Sequence, residues 1–278
     1  MIDAREWSRS DTIALLRVPT AEDDKYSRGV VALRTGSSAY PGAAVLGVEA
    51  AWRTGAGFVR FVGEGRAADA VIARRPETVA ALDVGSTRVD AWVIGSGTYP
   101  VHRPWEEERA LREILAGTAP VIVDAGALDL ARTASAPLVV TPHAGEFARL
   151  RAGLDLDPDG TGDRADDAAE VAAVLGATVL LKGATSIVAA PDGDVVAVSA
   201  APGWLATAGA GDVLAGMLGA LAAGNREARP ADTAAAAAWL HGYAAARAAG
   251  ATGGRTGHPI VALDVAESIP AAIEDLLS

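Results

Sequence analysis

The stretch that decides the fold is residues 206–216, which have the sequence Ala-Thr-Ala-Gly-Ala-Gly-Asp-Val-Leu-Ala-Gly. Its small residues at 208–211 let the backbone turn tightly and approach a ligand closely. Asp212 then opens an apolar helix, and the first N–H groups of a helix lack partners within it and carry the positive end of its dipole. The amides of Ala210, Gly211 and Asp212 are therefore predicted to form an anion hole, suited to a transferring phosphoryl group.

Asp212 itself has two interpretations at this point. Beside an anion hole, its carboxylate can accept a proton from a substrate hydroxyl group as a general base. Aspartate is also a preferred N-cap residue, so the side chain can equally serve to cap the helix. This stretch alone leaves both interpretations open.

Outward from this stretch, short β-branched runs alternate with Ala-rich helical stretches. The strands are predicted at 30–35, 58–62, 91–94, 121–123, 138–141 and 179–182, and helices between them at 41–54, 104–116 and 164–175. Such alternation is typical of a mainly parallel sheet with helices on both faces. Ligands of these sheets bind beyond the carboxyl ends of the strands.

The last third of the chain departs from the alternation. The turn sequence Pro191-Asp192-Gly193-Asp194 predicts a β-hairpin between 186–190 and 195–199. Three helices follow with little between them, at 212–223, 232–249 and 265–277, and 155–163 is predicted to be a loop. With no internal repeat and no boundary in its composition, the chain is expected to form a single domain over 1–278.

Composition excludes several classes of protein. The chain has 278 residues, 50% of them hydrophobic, with a formal net charge of −11 and no cysteine. Its acidity argues against a nucleic-acid footprint or a polybasic membrane patch, and the lack of cysteine excludes disulfides and Cys-based zinc sites. The N-terminal 20 residues have no apolar core of a targeting signal, and the strongly apolar stretch 213–224 is far short of the roughly 20 residues that span a membrane. We therefore expect a soluble, cytoplasmic protein.

Several familiar motifs are missing from the sequence. It has no G-x-x-x-x-G-K-[ST] phosphate loop, no G-x-S-x-G nucleophile turn and no H-E-x-x-H metal motif. The four histidines (His102, His143, His241 and His258) are scattered. No metal site built from side chains is predicted, because the ligands of such sites usually cluster.

Two further motifs follow predicted strands. Lys182-Gly183-Ala184-Thr185-Ser186 can lie against a nucleotide with its lysine near the phosphates, or it can be an ordinary strand end with a solvated lysine. Thr141-Pro142-His143-Ala144-Gly145-Glu146-Phe147 places His143 and Glu146 where ligands bind, although Thr141 or His143 could instead cap a helix. Asp124 is another acidic strand end, and the Gly/Ser loop 36–44 precedes a helix that starts near Pro41.

In this order, the segments resemble the ribokinase-like superfamily and, within it, the ADP-dependent NAD(P)H-hydrate dehydratases, a family of metabolite-repair enzymes. The resemblance rests on five places: 25–29 leading to Tyr40-Pro41-Gly42-Ala43-Ala44; Ile94-Gly95-Ser96-Gly97; Val123-Asp124-Ala125; residues 141–147; and 182–185 followed by 206–216. It implies a three-layer α/β fold with a mainly parallel central sheet. It also implies a lyase that uses ADP or ATP as co-substrate with Mg²⁺ and that forms a homotetramer.

The resemblance also implies roles for individual residues. Asp212 would be the catalytic base; the hydrated nicotinamide nucleotide would contact Ala43, Gly97, His143 and Asp212, and the adenine nucleotide would contact Lys182, Gly183, Ala184, Thr185, Ser186, Ala210 and Gly211. The sequence departs from the family in two places. Ala210 replaces a usual threonine, and Gly95-Ser96-Gly97-Thr98-Tyr99 replaces a usual Gly-Pro-Gly-Leu-Gly. At 278 residues, the chain is expected to lack the epimerase domain that is fused to some relatives.

Two other functions stay open on the sequence. A small-molecule kinase of the same superfamily, acting on a vitamin precursor such as hydroxyethylthiazole, would use the same Asp212 and anion hole. A nucleotide-binding regulatory protein without catalysis would also keep the anion hole.

Overall fold

The computed structural model describes residues 2–101 and 103–278, so His102 lies outside the described residues. The strands are β1 (Arg5–Glu6), β2 (Val30–Arg34), β3 (Phe58–Val62), β4 (Val79–Ala81), β5 (Ala91–Ile94), β6 (Val121–Val123), β7 (Leu138–Val140), β8 (Thr178–Leu181), β9 (Ser186–Ala189) and β10 (Val195–Val198). The helices are α1 (Arg9–Ile13), α2 (Pro41–Arg53), α3 (Gly65–Arg74), α4 (Trp105–Leu115), α5 (Ala144–Gly153), α6 (Arg164–Leu175), α7 (Ala210–Gly224), α8 (Pro230–Ala248) and α9 (Ala262–Leu277). Two 3₁₀ segments, Ala125–Thr133 and Gly203–Leu205, complete the elements.

The ten strands form one sheet in the order β1-β10-β9-β8-β7-β6-β5-β2-β3-β4. All pairs are parallel except those that β9 makes with β8 and β10, so the predictions of a mainly parallel sheet and of a hairpin are confirmed. The elements β1, β4, α1 and α3 were not predicted from the sequence. The two strands have two and three residues and are exposed or half-buried, so no buried apolar run marks them.

Apolar residues cover both faces of the sheet. Neighbouring residues of β5 point to opposite sides: Val93 packs in a cluster with Leu218 of α7, while Ile94 packs in a second cluster with Leu111 of α4. The expected three-layer arrangement is therefore present. No helix in the described part of the chain is long and apolar enough to cross a membrane.

Helix α7 is held in the middle of one layer by close contact with α2. A Cβ added to Gly216 would lie 2.1 Å from the carbonyl oxygen of Gly47, so the two backbones touch at these glycines. Because α7 is buried along most of its length, this contact fixes the position of its N-terminus at the carboxyl edge of the sheet.

A buried carboxylate joins α2 to the outer helix α3. The Glu49 side chain has no exposed surface and lies between Arg53, whose Nε is 3.0 Å from Oε1, Arg74, whose Nε is 3.3 Å from Oε2, and Arg75. Burial alone would raise the pKa of Glu49, but the hydrogen bonds from Arg75 and Arg53 and the charges of the arginines outweigh it and hold this pKa below its usual value. The carboxylate therefore stays ionised in the folded protein at neutral pH.

We predict that Glu49→Gln lowers the free energy of unfolding at neutral pH by about 2 to 3 kcal/mol, because it removes the charge that pairs with three half-buried arginines. Since the pKa of Glu49 is depressed, this contribution is present above the ordinary glutamate pKa and is lost as the pH falls through the lower, folded value. Urea unfolding at several pH values measures both effects.

Glu267→Gln is the matched control, because Glu267 pairs with Arg74 but is 46% exposed. Its effect should stay below about 0.5 kcal/mol, as is usual for exposed ion pairs. Equal losses for the two variants would contradict the role given to burial.

Candidate active site

The site is organised around Asp124, which follows β6 directly and is 3% exposed. Its Oδ2 accepts a hydrogen bond from the Ser96 hydroxyl at 2.8 Å, and its Oδ1 accepts bonds from the Thr141 hydroxyl and the Lys182 amine, both at 2.8 Å. Ser96, Asp124, Thr141 and Lys182 follow β5, β6, β7 and β8, which are consecutive neighbours in the sheet. Four strand ends are therefore tied together by one carboxylate.

Lys182 is a paired cation whose side chain is 20% exposed and otherwise enclosed by protein. Burial would lower its pKa, but Asp124, together with the more distant charges of Glu146 and Asp212, outweighs burial and holds the pKa of Lys182 above its usual value. The alternative of a solvated strand-end lysine is therefore wrong. The ammonium group lies only 3.4 Å from where a Cβ on Gly211 would be, which places a fixed positive charge beside the start of α7.

The N-terminus of α7 has the backbone form that the sequence predicted. Gly209 is the N-cap in the left-handed region, with φ of 85°, and the helix begins at Ala210, two residues earlier than predicted. Within residues 2–101 and 103–278, no side chain forms a capping hydrogen bond at this N-terminus. Asp212 lies in the first turn and is not the N-cap, so the capping interpretation is wrong. The prediction that the Ala210 amide is open is also wrong, because it donates to the Thr207 carbonyl at 3.4 Å, and the amides of Gly211 and Asp212 are the ones left to bind a ligand.

Asp212 is a half-buried carboxylate with a perturbed pKa. Burial and then the charge of Asp124 raise the pKa of Asp212 to about 6, while Lys182 and the Ser96 hydroxyl oppose the rise. A carboxyl group that titrates near neutral pH is well suited to take a proton from a substrate hydroxyl and to pass it on. Strong perturbation by burial and a named charge is typical of functional groups.

His143 caps α5. Its Nδ1 accepts from the amides of Gly145 at 3.0 Å and Glu146 at 3.3 Å, while the Glu146 carboxylate accepts from the His143 amide at 2.9 Å. The cap interpretation of this motif is therefore confirmed for His143. The side chain is 57% exposed and lines the cavity described next, and its Nε2 lies 3.4 Å from Oε1 of Glu146.

A cavity of about 550 Å³ opens beside the start of α7. It brings together seven of the residues predicted from the sequence: His143, Lys182, Gly183, Ala184, Ser186, Ala210 and Gly211. Thr185 is turned instead toward Ser199, with 3.2 Å between the two hydroxyl oxygens. The far wall is mainly apolar and is formed by residues of 198–206 and by Leu214 and Ala238.

The loop 182–186, which follows β8, is held by hydrogen bonds from Arg164, a residue that was not predicted from the sequence. Arg164, at the start of α6, donates to the carbonyl oxygens of Thr185 at 2.6 Å, Lys182 at 3.1 Å and Leu181 at 3.2 Å. Its guanidinium nitrogen lies 2.6 Å from where a Cβ on Gly183 would be, so a side chain at this position would displace the guanidinium group. These bonds fix the curvature of the loop that borders the cavity.

Ala43 and Gly97, the remaining predicted residues, do not border this cavity and contact each other at the start of α2. A Cβ added to Gly97, which has φ of 70°, would lie 2.5 Å from the Cβ of Ala43 and 2.9 Å from the Cα of Gly36. Ala43 and Gly97 therefore form one surface at the start of α2. Ser96, beside Gly97, is what links this surface to Asp124.

Three residues of the site went unassigned in the sequence. Ser96 and Thr141 were quoted only as parts of motifs, and Asp124 only as an acidic strand end. A polar residue placed directly after each of several neighbouring strands is the signal that could have joined them. Their pairing depends on strand order, which the sequence does not give.

The fold and the site define a class: an α/β protein of ribokinase-like architecture, with a carboxylate beside a glycine-rich helix N-terminus at the carboxyl edge of its sheet. The family model described as NAD(P)H-hydrate dehydratase matches residues 31–264. The chain belongs to the NAD(P)H-hydrate dehydratase family.

Individual relatives of known name support this family assignment. The chain is 34% identical over 257 residues to the ADP-dependent (S)-NAD(P)H-hydrate dehydratase of Xanthomonas campestris, covering 83% of this chain and 84% of that protein. It is 42% identical over 229 residues to the bifunctional NAD(P)H-hydrate repair enzyme Nnr of Mycobacterium tuberculosis, covering 80% of this chain and 46% of that protein. The chain thus spans about half the length of the bifunctional relatives it matches.

A solved structure is similar over the whole chain. The ADP/ATP-dependent NAD(P)H-hydrate dehydratase of Bacillus subtilis, co-crystallised with ATP and Mg²⁺, matches with a TM-score of 0.85 and 28% identity, covering 99% of this chain and 100% of that one. The expected ribokinase-like fold is confirmed.

We predict that Asp124→Asn lowers the pKa of Asp212 from about 6 toward its usual range, because the substitution removes the neighbouring negative charge that raises it. The pKa of Lys182 should fall in the same variant, since its principal counter-charge is lost. Carboxyl ¹³C chemical shifts, followed through a pH titration, measure the change at Asp212.

The control is Asp129→Asn, at an aspartate that is 45% exposed and pairs with Arg103. It should leave the Asp212 titration where it is. An Asp212 pKa that stays near 6 in Asp124→Asn would show that burial alone raises it.

Proposed function

We propose that this chain dehydrates the hydrated forms of NADH and NADPH, with ADP as the driving co-substrate and AMP and phosphate as products. The observation that carries the proposal is the ionisable Asp212 beside the open amides of α7, facing the buried Lys182. Membership in the family and the names of its relatives supply the substrate.

In the proposed reaction, Asp212 takes the proton from the hydroxyl group of the hydrated nicotinamide ring as its oxygen attacks the β-phosphorus of ADP. A new O–P bond forms, the bond between the β-phosphorus and the bridging oxygen breaks, and AMP leaves. Charge on the transferring phosphoryl group is stabilised by the amides of Gly211 and Asp212 and by Lys182. A hydroxyl group has then become a phosphate ester, which is a far better leaving group.

The second step is elimination from the ring. The C–O bond of the phosphate ester breaks, a neighbouring ring carbon gives up a proton, and the double bond of the reduced nicotinamide returns. The net change is loss of water from the ring together with hydrolysis of ADP to AMP and phosphate. Ala43, Gly97 and His143 are proposed to hold the ring against Asp212, while the loop 182–186 holds the adenine nucleotide.

Magnesium is proposed to accompany the nucleotide. In the described part of the chain, no three His, Asp or Glu side chains are arranged to hold a metal ion. Mg²⁺ usually takes one or two carboxylates together with substrate phosphates and water. The phosphates and water would hold most of the ion here, because Asp124 and Glu146 already accept hydrogen bonds within the protein. Asp212 is kept free as the base. When bound, the ion would supply positive charge to the phosphates.

The single domain over 1–278, the cytoplasmic location and the homotetramer stay predictions. Self-association is supported by Leu82, Tyr99 and Val101, which border one cavity and are 64%, 60% and 68% exposed. Exposed apolar side chains grouped in this way mark contact surfaces.

We predict that Asp212→Asn lowers turnover by about 100- to 10,000-fold, which is the usual contribution of a general base. Binding of ADP should change little, because the amides and Lys182 are retained. The assay is the rise of the reduced-nicotinamide absorbance band with hydrated NADH, Mg²⁺ and ADP, and with AMP measured as product.

Asp192→Asn, in the exposed turn of the hairpin, is the matched control and should keep wild-type turnover. Unchanged turnover in Asp212→Asn would remove this residue as the base. No absorbance rise in the wild-type protein with either ADP or ATP would remove the dehydratase activity itself, and formation of a stable phosphorylated product instead would identify a kinase.

The rate should also depend on pH. Because Asp212 acts as a base only when ionised, kcat/KM is expected to rise with pH through about 6 and to be lost below it. Initial rates between pH 5 and pH 8, in buffers of constant ionic strength, measure this rise of kcat/KM with pH. A flat profile across that range would contradict ionisation of Asp212 as the controlling event.

A further inference from the structure

Ser96 is a buried serine whose hydroxyl group has no part in the proposed reaction so far. It follows β5 and Gly95, is 2% exposed, and its carbonyl oxygen accepts a hydrogen bond from the Gly36 amide at 2.6 Å. Its hydroxyl group donates to Oδ2 of Asp124 at 2.8 Å. The backbone and the side chain of Ser96 are therefore both held in place at the carboxyl edge of the sheet.

The same hydroxyl group also acts on Asp212. Burial and the charge of Asp124 raise the pKa of Asp212 to about 6, while Lys182 opposes the rise through its charge and Ser96 opposes it through a hydrogen bond. A serine hydroxyl group has one proton, so it donates to one carboxylate at a time. Asp124 also accepts from the Thr141 hydroxyl and the Lys182 amine. When the Ser96 hydroxyl turns toward Asp212, Asp124 therefore still has two donors.

The other charged groups around Asp212 do not replace this hydrogen bond. Lys182 acts on Asp212 through its charge, and the Glu146 carboxylate lies 3.9 Å from the Lys182 amine. On α8, burial lowers the pKa of His241 to about 4, so this ring is neutral at physiological pH. Among the described side chains, only that of Ser96 changes the pKa of Asp212 through a hydrogen bond.

We propose that Ser96 is a positioning residue for the base: its one hydroxyl proton is shared between Asp124 and Asp212, and it stabilises the ionised Asp212 that accepts the substrate proton. Once Asp212 has taken that proton, its new O–H group donates to the Ser96 oxygen, and the Ser96 proton returns to Asp124. Proline, which the family usually has at this position, carries no hydroxyl group, so this contact is a property of this chain. The inference rests on the role proposed above for Asp212.

The first test is the pKa of Asp212 in Ser96→Ala, followed by the ¹³C chemical shift of the Asp212 carboxyl group through a pH titration without ligand. Loss of the donor should raise this pKa by about one pH unit, as expected for one hydrogen bond to a charged group. A loosened fold that admits water would weaken the effect of burial and lower this pKa instead. The sign of the change therefore separates the two explanations. Asp212→Asn identifies the signal by removing it.

The second test is the pH dependence of kcat/KM in the dehydration assay. In Ser96→Ala, the rise of kcat/KM with pH should move upward by the same amount as the pKa of Asp212. At pH 5, kcat/KM should then be about 10-fold below that of the wild type, whereas at pH 8 the two should agree within about 2-fold.

Ser96→Thr keeps a hydroxyl group and should return both the pKa of Asp212 and the pH profile toward those of the wild type. The matched control is Thr98→Ala, which removes a hydroxyl group from the same loop. The Thr98 hydroxyl donates to the Gly95 carbonyl at 2.7 Å and to neither carboxylate, so both measurements should keep their wild-type values. Thermal unfolding of each variant shows whether it is folded.

An unchanged or lower pKa of Asp212 in a folded Ser96→Ala protein would overturn the proposal. So would an equal rise in Thr98→Ala, because the effect would then belong to the loop as a whole. A raised pKa with an unchanged pH profile would remove the role of Ser96 in the reaction. A raised pKa in a protein that shows no dehydration with ADP or ATP would overturn the proposed function and support the link between Ser96 and Asp212.

Discussion

The buried Asp124 carboxylate is the constraint on which the rest of the site depends. Its three donors come from three different strand ends, so the cluster exists only when β5 to β8 are neighbours in parallel order. The same carboxylate has two electrostatic effects. It keeps Lys182 charged despite burial, and it raises the pKa of Asp212 toward neutrality. One ionised group thus maintains both a fixed cation for phosphate and a base that can accept a proton.

The anion hole depends on backbone geometry and tolerates changes in side chains. Gly209 adopts a φ of 85°, a conformation that requires glycine. Ala210, where the family usually has threonine, donates its amide to the Thr207 carbonyl and leaves the amides of Gly211 and Asp212 open. Gly97 keeps its left-handed conformation and its close approach to Ala43, although Ser96, Thr98 and Tyr99 around it depart from the family pattern. The glycine conformations at 97 and 209 are therefore retained.

The sequence alone predicted the parallel sheet, the hairpin and the Gly-Ala-Gly-Asp turn, because each leaves a local pattern of hydrophobicity or small residues. It could not show that Asp124, Ser96 and Thr141 share hydrogen bonds, since that follows from strand order across the sheet. No local pattern marks Arg164, at the start of a helix. Its hydrogen bonds to the carbonyl oxygens of Leu181, Lys182 and Thr185 arise only from tertiary packing. The place of His241 beside the cavity likewise follows from tertiary packing, because the Ala-rich sequence around it gives no local signal. Local patterns thus locate the backbone of the site, and long-range contacts determine which side chains complete it.

The buried carboxylate in the core and the carboxylate of the candidate active site are stabilised to different degrees. Glu49 is fully buried and is compensated by three arginines, as a structural charge must be. The ionised form of Asp212 is less well stabilised. Because its pKa is raised, the folded state binds the proton more tightly than the unfolded chain does. Ionisation of Asp212 above about pH 6 therefore lowers the stability of the fold. Asp212 and the open amides of Gly211 and Asp212 lie at one edge of the sheet. A ligand that brings an anion and a hydroxyl group to that edge uses all of them at once, so its binding and the stability of the fold are linked.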